Sequence, residues 1–171
     1  VLASGSSSKT MGQRFSGPVM TSDQALELDH VPASAIILGG GVIGVEFASA
    51  WASLGSQVTV IEGLPRLVPN EDEAISKQLE RAFRKRRIVV RTGTMFESVE
   101  RTAAGVSVRT TDGRAFDAEV LLIAVGRGPA TANLGYEEAG VAMDRGFVLT
   151  DEYGRTSVRG VWAVGDIVPG L

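Results

Sequence analysis

Two short apolar runs, Ala35-Ile36-Ile37-Leu38 and Val58-Thr59-Val60-Ile61, are joined by Gly39-Gly40-Gly41-Val42-Ile43-Gly44 and then by a stretch of helical periodicity that stops at Gly55. A continuous apolar run bounded by glycine is how a strand buried on both faces is written, and such strands belong to parallel sheets with crossover helices. The glycines follow G-x-G-x-x-G, and each has its own task. Gly39 permits the tight turn out of the strand, Gly41 lets the backbone approach a pyrophosphate with no Cβ in the way, and Gly44 lets the helix lie close on the sheet. The unpaired amides and positive dipole end of a helix starting at Val42 then face the phosphates. A bare G-x-G-x-x-G is weak in a chain with 21 glycines. Its place between a strand and a helix makes it informative.

The second strand ends at Glu62, 23 residues after Gly39, close to the spacing at which an acid reaches the adenosine ribose. A carboxylate there accepts hydrogen bonds from the ribose hydroxyls and repels a 2′-phosphate, which favours NAD over NADP. Arg66, past Gly63 and Pro65, reads as ordinary surface charge. A second helix is predicted to open at Asn70-Glu71-Asp72-Glu73 and to carry Ile75, Leu79 and Phe83 on one face. It ends in Arg84-Lys85-Arg86-Arg87, cations suited to a helix C-terminus. Ile88-Val89-Val90 completes a β-α-β-α-β unit.

From 94 to 118 the pattern alternates, with turns at Ala104-Gly105 and Asp112-Gly113, and predicts an antiparallel meander. Val120–Val125 and Val161–Val164 return to the buried-strand style, with a hairpin expected between them. Before residue 30 the chain reads as a polar linker, with one helical turn capped by Ser22 or Asp23. The expected fold class is α/β: a Rossmann-like parallel sheet with helices on its faces and an antiparallel three-stranded β-meander insertion.

Composition narrows the chemistry. There are no cysteines and one histidine, His30, which excludes a thiol nucleophile, a CxxC pair, a thiolate zinc site and a histidine cluster within these residues. No catalytic or metal-ligating set is visible, and His30 reads as an exposed polar residue. With 17 basic and 20 acidic residues the net charge is −3, so no chain-wide positive field favours nucleic acid. Neither a membrane span nor a signal peptide is legible, which reads as cytoplasmic. The opening at Val1 reads as the middle of an apolar strand, so the chain is expected to be part of something longer.

Five segments together carry a family resemblance: Ala3-Ser4-Gly5-Ser6, Gly39 through Ser49, Val58 through Glu62, Ala124-Val125-Gly126-Arg127-Gly128-Pro129, and Val161-Trp162-Ala163-Val164-Gly165-Asp166. In order and spacing the chain resembles the central portion of the dihydrolipoyl dehydrogenases, members of the two-dinucleotide flavoprotein disulfide reductases. The resemblance implies an NAD-binding domain over 30–150, with 1–29 and 151–171 as segments of an FAD domain. It implies that Gly39, Gly40, Gly41, Val42, Ile43, Gly44, Val45, Glu46 and Glu62 hold NAD, with Phe96 at the adenine end and Gly126 at the nicotinamide end. Ser4, Gly5, Ser6 and Asp166 would meet FAD. Glu46, an acid in an otherwise apolar helix face, would lie near the nicotinamide and flavin.

The implied activity is reoxidation of protein-bound dihydrolipoamide, with electrons passing through a disulfide and FAD to NAD⁺. The partner would be the lipoyl domain of a 2-oxoacid dehydrogenase or related complex, and the enzyme a homodimer. The family's disulfide and C-terminal His/Glu pair have no counterpart in this chain, which is therefore expected to be inactive alone. Another disulfide reductase of the same architecture (mercuric or glutathione reductase, or soluble transhydrogenase) and a non-enzymatic NAD-sensing module are the alternatives.

Overall fold

The computed structural model describes residues 1–170. In chain order its strands are β1 (Ser6–Ser8), β2 (Val19–Met20), β3 (Ser34–Leu38), β4 (Gln57–Ile61), β5 (Val89–Arg91), β6 (Phe96–Thr102), β7 (Gly105–Thr110), β8 (Ala115–Ala118), β9 (Val120–Ile123), β10 (Arg127–Pro129), β11 (Met143–Asp144) and β12 (Phe147–Val148). The helices are α1 (Ser22–Ala25), α2 (Val42–Leu54) and α3 (Glu73–Lys85), with a 3-10 turn at Gly165–Ile167. One compact unit is Thr10–Gly126, and the other joins Val1–Lys9 to the described residues from Arg127 onward.

In the larger unit β2, β9, β3, β4 and β5 form, in that order, a wholly parallel sheet. Successive side chains of β3 point to opposite faces, and both faces are covered, which is why the run Ala35–Leu38 is apolar throughout. Ile37, Val60 and Leu122 pack with Val45, Ala48 and Trp51 of α2 and Phe83 of α3. On the other face Ile36, Leu38, Leu121 and Ile123 pack with Val106, Val108 and Ala118 of the meander. The two long helices thus share one face, and the antiparallel sheet β6-β7-β8 takes the other.

Several local expectations need correction. The buried residues of α2 are Gly44, Val45, Ala48 and Trp51, with Ile43 and Phe47 partly buried against the same core. Leu54 is 63% exposed. The small size of Gly44 and Ala48 lets the helix lie on the sheet, as expected of Gly44. In α3 Ile75 is half-exposed, whereas Ser76 and Phe83 are buried. The cap of α3 is Asp72, which accepts from the Ala74 N–H at 2.7 Å. The cap of α1 is Thr21, in a reciprocal capping box with Gln24, and not Ser22 or Asp23. The polar stretch before residue 30 is no mere linker, because β2 joins the sheet edge with Val19 and Met20 buried. Two residues are too few to show a period.

The basic run closing α3 does more than oppose a dipole. Arg86 donates to Ser49 Oγ and the Ser49 carbonyl at 2.6 and 2.7 Å, and to Ser53 Oγ at 2.7 Å, tying the end of α3 to α2.

In the smaller unit β1 pairs antiparallel with β10, and β11 with β12 as the expected hairpin. Val141, Val148, Ala163 and Ile167 form its core. Val161–Val164 is not a continuous strand. Only single bridges, Leu2 to Ala163 and Arg155 to Trp162, form there, because its neighbours meet it one residue at a time.

His30 has partners after all. Nδ1 lies 2.8 Å from Asp29 and Nε2 2.8 Å from Glu119, whose other oxygen accepts the Ala33 N–H at 2.7 Å. These contacts hold the segment leading into β3. The Asp29 hydrogen bond, then that of Glu119, raises the imidazole pKa above 6.5. Glu119 is lowered, first by the Ala33 N–H and then by His30. A raised histidine stabilises fully below its unfolded pKa and loses that contribution as pH rises through the folded one. The thermal midpoint of the parent protein should therefore exceed that of His30→Gln at pH 6, with the gap closing by pH 8.5. A gap of equal size at both pH values would refute the contact.

Candidate functional site

The glycine turn leaves β3 with a strand on each side. Gly39 N–H donates to the Ile61 carbonyl at 2.9 Å, and Ala124 N–H donates to the Leu38 carbonyl at 2.7 Å. From β3 the chain runs to β4 and β5 on one side and returns to β9 on the other, so this is the switch point where open α/β sheets bind ligands. Gly39 has φ +105°, and a Cβ there would lie 2.4 Å from the Ala124 carbonyl oxygen. A Cβ on Gly44 would lie within van der Waals overlap of the Gly39 carbonyl oxygen, so helix and turn touch backbone to backbone. Gly41 caps α2 with no side-chain hydrogen bond. Its missing Cβ would meet nothing within 4 Å. The first intrahelical bond runs from Val45 N–H to Gly41 C=O at 3.0 Å, which leaves the amides of Val42, Ile43 and Gly44 without helical acceptors.

A cleft of about 530 Å³ opens in front of this turn. Of the residues singled out in the sequence, Gly39, Gly41, Val42, Ile43, Glu62, Phe96 and Gly126 line it. Gly40 and Gly44 shape the turn from behind. Val45 faces the sheet and is buried. Glu46 is exposed, because two residues along a helix from either Gly44 or Ala48 is about 200° around it, and its neighbours one turn away, Val42 and Ala50, are apolar and exposed as well. Sequence reasoning missed Leu64 and Met95, both half-exposed at the cleft wall. Their signal was apolar residues placed just past strand ends.

Glu62 does two things. Oε2 accepts the Gly40 N–H at 2.5 Å and Oε1 accepts the Leu64 N–H at 2.7 Å, so the carboxylate braces the glycine turn against the end of β4. Each oxygen carries a second lone pair, and Glu62 lines the cleft.

The smaller unit has its own cleft of about 410 Å³, lined by Ser6, Arg127, Phe147 and Asp166 among others. Ser6 Oγ donates to Asp166 Oδ2 at 2.5 Å and accepts from Arg127 Nε at 2.8 Å. Arg127 also donates to the Ser6 carbonyl at 2.7 Å and to Ser8 Oγ at 3.2 Å. Ser4 Oγ accepts from the Tyr136 hydroxyl at 3.3 Å, and Gly5 has φ +75°. Arg127 was not picked out from the sequence as a site residue. Among the described residues no helix is long and apolar enough to cross a membrane.

Comparison with known proteins agrees with this geometry. The family model described as pyridine nucleotide-disulphide oxidoreductase matches residues 1–171. A dihydrolipoyl dehydrogenase of Chlorobaculum tepidum is 41% identical over 157 residues, 90% of this chain and 34% of the relative. A dihydrolipoamide dehydrogenase of Chaetomium thermophilum is 39% identical, over 86% of this chain and 31% of its own length. The chain thus spans about a third of the curated relatives it matches. Among solved structures, LpdA of Mycobacterium tuberculosis superposes with a TM-score of 0.90 at 34% identity, covering 99% of this chain and 38% of that one. The HOCl-induced flavoprotein disulfide reductase RclA of Escherichia coli superposes with a TM-score of 0.90 at 33% identity, covering 99% and 40%. A match over the whole sequence, a likeness of fold over nearly all of it, and a glycine turn braced by Glu62 at the switch point lead to one assignment: the chain belongs to the pyridine nucleotide-disulphide oxidoreductase family.

Proposed function

We propose that this chain supplies the NAD(H) site of a dihydrolipoyl dehydrogenase. The observation that carries the reading is the cleft at β3, where glycine leaves room at Gly41, the first-turn amides of α2 face outward, and Glu62 stands at the end of β4. The fit to a dinucleotide is physical: Gly41 lines the cleft with open space where a Cβ would stand, and first-turn amides suit a pyrophosphate. NAD⁺, when bound, supplies the hydride acceptor. Val42, Ile43 and Gly44 would offer N–H groups to the phosphates, Glu62 would accept from the ribose hydroxyls, Leu64, Met95 and Phe96 would wall the adenine end, and Gly126 would lie at the nicotinamide end. Val45 and Glu46 would complete the NAD-holding set, with Glu46, exposed on α2, near the nicotinamide and flavin.

Ser4, Gly5, Ser6 and Asp166 belong to the same proposal as the flavin side. Asp166, an anion already paired with the Ser6 hydroxyl, would accept from a flavin hydroxyl. The nucleotide domain over 30–150, flanked by flavin-domain segments, the lipoyl-domain partner, the homodimer and the cytoplasmic setting complete the reading. Because these 171 residues contain no cysteine, they offer no thiol for exchange and are expected to be inactive with dihydrolipoamide by themselves. The comparable likeness to RclA supports a second reading, another disulfide reductase of this architecture. Reduction of NAD⁺ by dihydrolipoamide in the whole protein separates the two.

Glu62 sets the cofactor choice. In a fluorescence titration NADPH should bind at least about tenfold more weakly than NADH, since a dianionic 2′-phosphate would face a carboxylate. Equal affinities would overturn the NAD assignment.

A further inference from the structure

The loop after Glu62 contains a conformation that side chains avoid. Val68 has φ +40°, and a β-branched residue at positive φ is a genuine outlier. It is also buried, at 7% exposed. Such strain persists only where the surroundings over-determine it, and it gathers at functional sites.

Here the surroundings can be named. Ser76 Oγ donates to the Leu67 carbonyl at 2.7 Å, and the Ser76 residue is 1% exposed. A serine within a helix commonly bonds back to its own helix; this one reaches out of α3 to the loop. Arg66 Nη2 donates to the Pro69 carbonyl at 2.6 Å, and Glu71 N–H donates to the Val68 carbonyl at 2.9 Å. Leu67 is fully buried, and its Cδ2 fills the space beside Gly40 where a Cβ would lie, 2.5 Å from that point.

The product of this arrangement is one hydrogen bond. Val68 N–H donates to the Gly40 carbonyl at 2.7 Å. That carbonyl and the Gly41 N–H belong to the same planar trans peptide and point in opposite directions. Holding the oxygen toward Val68 therefore aims the Gly41 N–H away from it. The preceding peptide is held as well, by the Gly40 N–H on Glu62. Two consecutive peptide planes of the turn are thus clamped by the 62–68 loop.

We propose that Val68 and Ser76 are positioning residues for dinucleotide binding: Ser76 locks the strained loop, and the Val68 N–H orients the Gly40–Gly41 peptide so that its free N–H joins the α2 amides in holding a pyrophosphate. This rests on the nucleotide reading above. Neither side chain touches the ligand.

The test uses ADP-ribose, which carries the pyrophosphate, and adenosine, which does not. Ser76→Ala keeps a good helix former in α3. It should weaken ADP-ribose about fivefold, the worth of one modest hydrogen bond, leave adenosine unchanged, and speed hydrogen exchange of the Val68 amide. Val68→Gly, which keeps the N–H and accepts positive φ freely, should hold ADP-ribose affinity within about twofold of the parent. Equal loss of both ligands in Ser76→Ala, unchanged ADP-ribose affinity, or a Val68→Gly loss as large as that of Ser76→Ala would overturn the clamp. If the parent protein binds adenosine and ADP-ribose equally well, the pyrophosphate reading itself fails, which is a different result from a clamp that does not matter.

Discussion

Gly44→Ala should cost about 3 kcal/mol of stability, the upper part of the usual overpacking range, and with it most NADH binding. The added methyl would overlap the Gly39 carbonyl oxygen and lie 3.3 Å from Ile37 Cγ2. The first of these neighbours is backbone of the glycine turn, so no side chain can swing aside. Relief has to come from lifting α2 off the sheet or from displacing Gly39, whose N–H is bonded to the Ile61 carbonyl at 2.9 Å. For a chain of this size the thermal midpoint should fall by roughly 6–12 °C, and NADH affinity by more than about tenfold. A variant within about 2 °C and threefold of the parent would show that the backbone contact at Gly44 does not set the turn.

Glu62→Ala is the second large effect, and it acts twice. On the proposed reading the ligand loses its ribose acceptor, worth about 1–2 kcal/mol of NADH affinity, or roughly 5- to 30-fold. The protein loses the acceptor for the Gly40 and Leu64 amides, which should lower stability by about 2 kcal/mol, as for hydrogen bonds to a charged group. Glu62→Gln separates the two roles. One amide oxygen can accept from Gly40 or from Leu64, but the NH₂ cannot accept from the other, so stability should fall between that of the parent and that of Glu62→Ala. Fluorescence titration with NADH and a urea midpoint read the two losses independently. Unchanged NADH affinity in Glu62→Ala would mean that the acid serves only as a brace.

The parallel sheet, α2 and the meander were legible because each rests on a pattern of several residues: a run buried on both faces, a period near 3.6, an alternation with turn glycines. The line Gly39, Gly41, Glu62 was legible because each residue type has a distinct physical task at a fixed spacing. Illegible were features made by partners far apart in the chain. Nothing local distinguishes Val19 and Met20 as a strand until β9 pairs with them. Nothing in His30 announces Glu119, or in Arg86 announces Ser49 and Ser53. Val68 is ordinary in the sequence and unusual only in φ.

The two walls of the cleft come from very different distances along the chain. Ala35 pairs with Val58 on one side and with Val120 on the other, the second after the whole meander. Closing so long a loop is entropically costly and slow relative to the local β3-α2-β4 unit. The Glu62 side of the glycine turn is therefore expected to form before the β9 side. A ligand that needs both walls recognises only the finished sheet, so dinucleotide binding draws its stabilisation from the native state alone and reports completed folding of the unit.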